Sequence, residues 1–213
     1  LSNYELWAMV YNELNGSYED DYSNWPNRKL VFDPNYTEIN DPTYHEDLSY
    51  KKLTELTNYE NCEYVNDEDE LWLPNNSTLM ILQSSTGDHP AVSSTSNYDF
   101  LNRHLEWNSS GLKNIGGNDA VGIAKNGVLI DVIGNNGGNE EAWPIASDYD
   151  MSNVSLVRKR HIVRGNPYWW VDTDDNSIPC DRADYGNCDP GSAGTNEANS
   201  EWIIYPVNTY IDA

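Results

Sequence analysis

The segment from Gly116 to Gly134, GGNDAVGIAKNGVLIDVIG, constrains the fold more than any other part of the chain. It spells a β-hairpin. Asn126-Gly127 is the preferred pair for a two-residue type I′ turn, because both central positions need positive φ. That turn sets Lys125 opposite Val128, Ile123 opposite Ile130 and Val121 opposite Val132. Strand side chains alternate, so Val121, Ile123, Ile130 and Val132 are expected on one face. Ala120, Gly122, Ala124, Leu129, Asp131 and Ile133 are expected on the other. Apolar residues on both faces predict a hairpin buried within a sandwich. The segment holds no catalytic group and reads as scaffold.

Asn118-Asp119-Ala120-Val121, followed by Lys125-Asn126-Gly127-Val128-Leu129-Ile130-Asp131-Val132-Ile133-Gly134, resembles the central hairpin of lamin-tail-type domains of secreted bacterial proteins. Further matching pieces follow in order. Trp143 lies in the loop after the hairpin, Leu156-Val157-Arg158-Lys159 resembles the next strand, and Gly165-Asn166 the turn that closes it. Ser192-Ala193-Gly194-Thr195-Asn196 then leads into Ser200-Glu201-Trp202-Ile203-Ile204-Tyr205-Pro206, with Asn208-Thr209-Tyr210 near the end. The resemblance spans about residues 112–210 and is weaker over Leu71–Ser85. It implies an all-β fold, an immunoglobulin-like β-sandwich, used as a binding or attachment module. Such a fold does not by itself fix a function.

A length of 213 residues suits one domain over 1–213. The excess over a minimal sandwich of about 100 residues is assigned to loop-rich insertions at about 12–70 and 167–190. Tyr4–Tyr11 alternates as a first strand, and Leu30-Val31-Phe32 reads as a short one. Glu46–Asn58 has the leucine spacing of a short helix. Leu71-Trp72-Leu73 and Thr78–Gln83 read as strands around a turn, and Phe100–Trp107 fits either helix or strand. No apolar run is long enough to span a membrane.

Charge narrows the partners. Thirty-five acids against twelve bases give a net charge of −23. A field of that sign repels nucleic acid and anionic lipid. It fits either a solvated, self-repelling surface or cation binding. Tyr (15) and Trp (8) far outnumber Phe (2), and both carry an apolar body with a hydrogen-bonding edge. That suits interfaces and carbohydrate contact as well as an aromatic core. Four of the twelve basic residues cluster in Val157–Arg164. Arg158 and Arg160 could dock an acidic patch on a neighbouring copy, or be balanced by nearby acids on the same chain.

The chain has three cysteines. Seven residues separate Cys180 from Cys188 in an Asp-, Gly- and Pro-rich loop, which a disulfide would staple; Cys62 is left over. Asp172, Asp174 and Asn176 place oxygen side chains at alternate positions, with Asp181 close by, as an irregular Ca²⁺ loop would. Ser177 and Ala183 stand where an EF-hand needs Gly and Glu, so this is no EF-hand, and an Asp/Asn-rich turn explains the pattern equally well. Trp169-Trp170 could form a sugar-stacking platform or an edge of the core, and Trp25 is a further interface candidate. Sequons at Asn15, Asn35, Asn75, Asn76, Asn108 and Asn153 are weak evidence of glycosylation in so Asn-rich a chain.

Catalytic patterns are incomplete. Gly87-Asp88-His89-Pro90 is a fragment of a nuclease-like motif, and the four His include no pair at zincin spacing. The expectation is a non-catalytic, secreted or surface-exposed module that self-associates or binds another surface protein, and that could be the subunit of a fibre or layer. The alternative is a calcium-dependent carbohydrate- or ligand-binding module; an accessory domain of a secreted hydrolase ranks third.

Overall fold

The Asn126-Gly127 turn forms as its residues dictate. In the computed structural model Asn126 has φ 52° and Gly127 φ 72°, the two positive values that a type I′ turn requires. The structure describes residues 3–9, 26, 28–33, 41, 49–52, 80–83, 104–107, 117–134, 142–146, 149–174, 180 and 187–206. These residues form strands and turns with no α-helix among them, so the described part is all-β. No helix among them is long and apolar enough to cross a membrane.

Thirteen strands are described: β1 (Tyr4–Met9), β2 (Arg28–Val31), β3 (Ser49–Lys52), β4 (Met80–Gln83), β5 (His104–Trp107), β6 (Ala120–Lys125), β7 (Val128–Ile133), β8 (Pro144–Ile145), β9 (Tyr149–Asp150), β10 (Val154–Arg158), β11 (Trp169–Asp172), β12 (Cys188–Gly191) and β13 (Trp202–Pro206). The main sheet has the order β3-β2-β1-β6-β7. Within it β1 pairs antiparallel with β2 and β6, while β3 joins β2 in parallel. Antiparallel pairs β10–β13, β11–β12 and β8–β9 and the parallel pair β4–β5 complete the set.

Several expectations are met. Leu156–Lys159 overlaps β10 and Ser200–Pro206 contains β13, and these two strands pair. Phe100–Trp107 resolves as a strand in its second half. The short strand expected at Leu30–Phe32 overlaps β2, and β2 and β3, both within residues 12–70, belong to the main sheet. β3 also lies where leucine spacing predicts a helix, because backbone pairing with β2 outweighs that local pattern. Leu71–Leu73 and Cys62 lie outside the described residues.

The hairpin register departs from the simple expectation. Lys125 does face Val128, and Ala124 faces Leu129. Ile123, however, faces Asp131, Gly122 faces Val132 and Val121 faces Ile133. Ile130 is thus the extra residue of a β-bulge. One inserted residue moves every later side chain to the opposite face. Val132 therefore joins the face of Ala124 and becomes buried, instead of sharing a face with Ile123. Nor is the hairpin covered on both sides, since Ile123, Val128 and Ile130 are exposed. At β1 and β2 the sheet is covered on both faces, because the neighbours Trp7–Ala8 and Lys29–Val31 are all buried.

A second cluster of buried residues gathers Val132, Ile145, Ala146, Trp169, Trp170, Cys180, Ala193 and Trp202. Trp169 and Trp202 meet with ring centres 6.4 Å apart. Trp170 has φ 46°, a value that a bulky residue adopts at a cost of about 1–3 kcal/mol. Burial of its indole, whose Nε1 donates to Pro144 O at 2.9 Å, offsets that cost. The Cys180 amide donates to Trp170 O at 3.0 Å, and Cys180 is bridged to Cys188 with a Cα–Cα distance of 6.0 Å. The expected staple is present, and it ties the β11–β12 arm to this cluster.

Candidate interaction surface

The basic strip begins on β10, whose last residue, Arg158, pairs in register with Trp202 of β13. The Arg158 guanidinium lies 4.9 Å from the centre of the Trp202 ring. One end of its fork, Nη1, meets Asp131 of β7, and Nη2 meets Glu201. Asn166 closes the ring of contacts: its Nδ2 donates to Glu201 and its backbone amide to Asp131, both at 3.0 Å. The Val132 amide donates to Asn166 O at 3.1 Å. Arg158 is thus held by β7 and by the Glu201–Trp202 stretch, with Asn166 joining the two carboxylates.

The charges of this cluster reinforce one another. Burial alone would lower the Arg158 pKa, but the hydrogen bonds and charges of Asp131 and Glu201 outweigh it and raise the value above that of an ordinary guanidinium. Burial likewise pushes Glu201 upward, yet hydrogen bonds from Arg158 and Asn166, with the charges of Arg158 and His161, hold it below the ordinary 4.5. Both groups are therefore ionised near neutrality. Both ends of the Arg158 fork are thus paired within its own chain, while its buried Nε has no hydrogen-bond partner, so Arg158 is an anchor and not a free docking group.

What the anchor holds is the turn that follows. The Ile162 amide donates to Lys159 O at 2.9 Å, and the Lys159 side chain reaches Glu197 O. Gly165 presses so closely on β7 that a Cβ there would lie 2.3 Å from Ile130 O, so only glycine fits. Between these points Arg160, His161, Val163 and Arg164 are exposed, Val163 at 86%. Arg160 and Arg164 form no ion pair among the described residues. Exposed Ile130 lies against Gly165, and Val128, at 64% exposure, lies two residues before it. On the other side of Lys159 a depression of about 150 Å³ is lined by Lys159, Glu197, Trp202, Ile203 and Ile204. The result is a cationic and apolar corner on a strongly anionic chain.

The remaining candidates fall elsewhere. Trp169 and Trp170 are core residues, 1% and 5% exposed, so neither can present a ring to a sugar; packing against Trp202 and Ile145 claims them. Asp172 accepts the Asp174 amide at 2.7 Å, a turn contact made by the same carboxylate that the calcium expectation invokes. No group of three or more His, Cys, Asp or Glu able to hold a metal occurs among the described residues. Asn176, Asp181 and Trp25 lie outside those residues. Sequence reasoning missed Asp131 and Glu201 as partners of Arg158, and Asn166 as the residue that donates to both carboxylates. A lone acid inside the apolar run Val128–Ile133 was the available signal for Asp131.

No protein family, curated protein or solved structure matches the chain.

Proposed function

We infer that this chain is a non-catalytic extracellular module of the lamin-tail-like, immunoglobulin-like sandwich kind, and that it works by assembling with further copies of itself into a fibre or surface layer. The observation that carries the reading is the corner formed by Arg160, Val163 and Arg164 beside Val128 and Ile130. Val128, Ile130 and Val163 are exposed apolar residues of this corner, and exposed apolar surface gathered in one place marks a contact surface. Two arginines with no ion pair among the described residues select an acidic partner, and a chain of net charge −23 is itself such a partner. The disulfide between Cys180 and Cys188 fits an oxidising compartment.

Repulsion between copies opposes this association. At about 0.1 M salt the Debye length is ~10 Å, which mutes distant repulsion and spares the close arginine–carboxylate contacts. Sedimentation velocity over a range of protein concentrations in such a buffer, with and without calcium, tests the reading. The wild type is expected to form species larger than the monomer. The double variant Arg160→Glu, Arg164→Glu is expected to stay monomeric. A wild type that stays monomeric throughout rejects assembly as the function.

A further inference from the structure

A second ion cluster lies in the main sheet, with its lysine and one of its two carboxylates closed to water. Lys29 of β2 has no exposed surface. Its Nζ lies 2.5 Å from Asp41 Oδ2 and 2.9 Å from Glu5 Oε2, and the Asp41 side chain is also fully buried. The register accounts for the meeting. Trp7 stands opposite Lys29, and Glu5 lies two residues earlier on β1, so all three share a face. Trp7 Nε1 donates to Glu5 Oε2 at 2.7 Å, and Lys29 Nζ lies 5.5 Å from the centre of the Trp7 ring. On β6 the residues opposite Trp7 and Glu5 are Gly122 and Ala124, small enough to leave room for these side chains.

An amine, a carboxyl group in contact with it and a second carboxylate within reach make a complete set for forming an amide. We propose that Lys29 and Asp41 condense into an intrachain isopeptide bond, with Glu5 relaying the proton. Proton transfer from Lys29 to Asp41 first gives an amine and a carboxylic acid. The Nζ lone pair attacks Asp41 Cγ, forming the C–N bond and a tetrahedral carbon. Glu5 takes a proton from the nitrogen and passes it to the departing hydroxyl. The C–O bond breaks, the carbonyl re-forms and one water leaves. Ammonium and carboxylate become amide and water, so no oxidant, cofactor or further reactant is needed. Holding the reacting groups together supplies what a reaction between separate molecules must pay in entropy. The product also removes two buried charges, which an interior accommodates only at considerable cost.

The bond would close a stretch of sequence separation 12 and fix the chain beyond β2 to the sheet. It does not depend on the assembly reading. The test is the intact mass of the natively folded protein after full denaturation and reduction. The expected result is a mass below that of the sequence by one water. Fragmentation should find a branched peptide joining Lys29 to Asp41, with trypsin unable to cut after Lys29. Lys29→Met should restore the full sequence mass, as should Glu5→Gln in protein shown to be folded. A wild type with the full sequence mass overturns the proposal, as does a lost water that maps to any other pair. Undiminished loss of water in Glu5→Gln overturns the relay.

Discussion

The chain holds two ion clusters made of similar parts in opposite surroundings. Each sets a cation against two carboxylates and beside an indole. Lys29 meets Asp41 and Glu5 next to Trp7; Arg158 meets Asp131 and Glu201 over Trp202. The Lys29 and Asp41 side chains have no exposure and Glu5 keeps 14%, whereas all three members of the Arg158 cluster keep 18–23%. The cations differ as well. Guanidinium spreads its charge over a fork that keeps its protons and grips two carboxylates, while a lysine amine can become a nucleophile. Solvent access and the identity of the cation, not the number of partners, divide a reversible clamp from a site equipped for covalent chemistry.

Removing one charged partner from each cluster should separate them most clearly. Asp41→Ala leaves Lys29 buried without its nearest counter-charge, and a loss of about 3–5 kcal/mol is expected in denaturant unfolding. Arg158→Met should cost less, about 2–3 kcal/mol, because water at the rim can solvate the carboxylates left behind. Equal losses would break the distinction. Opening the Cys180–Cys188 bridge should cost about 2–3 kcal/mol, the amount for a loop this short, measured as the shift between oxidised protein and a Cys180→Ser, Cys188→Ser variant.

The exposed cluster should also respond to pH. Glu201 has a folded pKa below its ordinary value, so its contribution to stability is fully present above about 4.5 and disappears as pH falls through the lower folded value. The stability gap between wild type and Glu201→Gln should be constant near neutrality and close in that acidic window. A gap that persists at the acid end would show that Glu201 acts through packing and not through its charge. The smallest effect is expected at Arg160 and Arg164, where reversing the charge should leave the melting temperature of the monomer unchanged and abolish assembly alone.

Much of the scaffold was legible because short-range rules govern it. Asn126-Gly127 admits essentially one hairpin turn, and the Cys180–Cys188 spacing suits a loop staple. The bulge at Ile130 was not legible. Asp131 is drawn to Arg158 and Asn166, residues 27 and 35 positions away, and no local pattern encodes that pull. Trp169 and Trp170 read equally as platform or core, and burial against Trp202 and Pro144 decides for core. Lys29 was the hardest to see. A lysine in a short strand ordinarily faces water, and only the register with Trp7 and Glu5 places it inside. Arg160 was legible as a docking residue candidate; Arg158, its neighbour in the same strip, proved to be the anchor instead.

The contrast between the clusters is tested most directly by following the nitrogen of Lys29 itself. In protein labelled with ¹⁵N and ¹³C, nuclear magnetic resonance can ask what that nitrogen is bonded to. An isopeptide predicts a single Nζ–H resonating with the amides and correlated through bonds to Asp41 Cγ. An ammonium signal at Lys29 with no through-bond link to Asp41 would contradict it, and would make the sealed cluster an ion pair of the same reversible kind as that of Arg158.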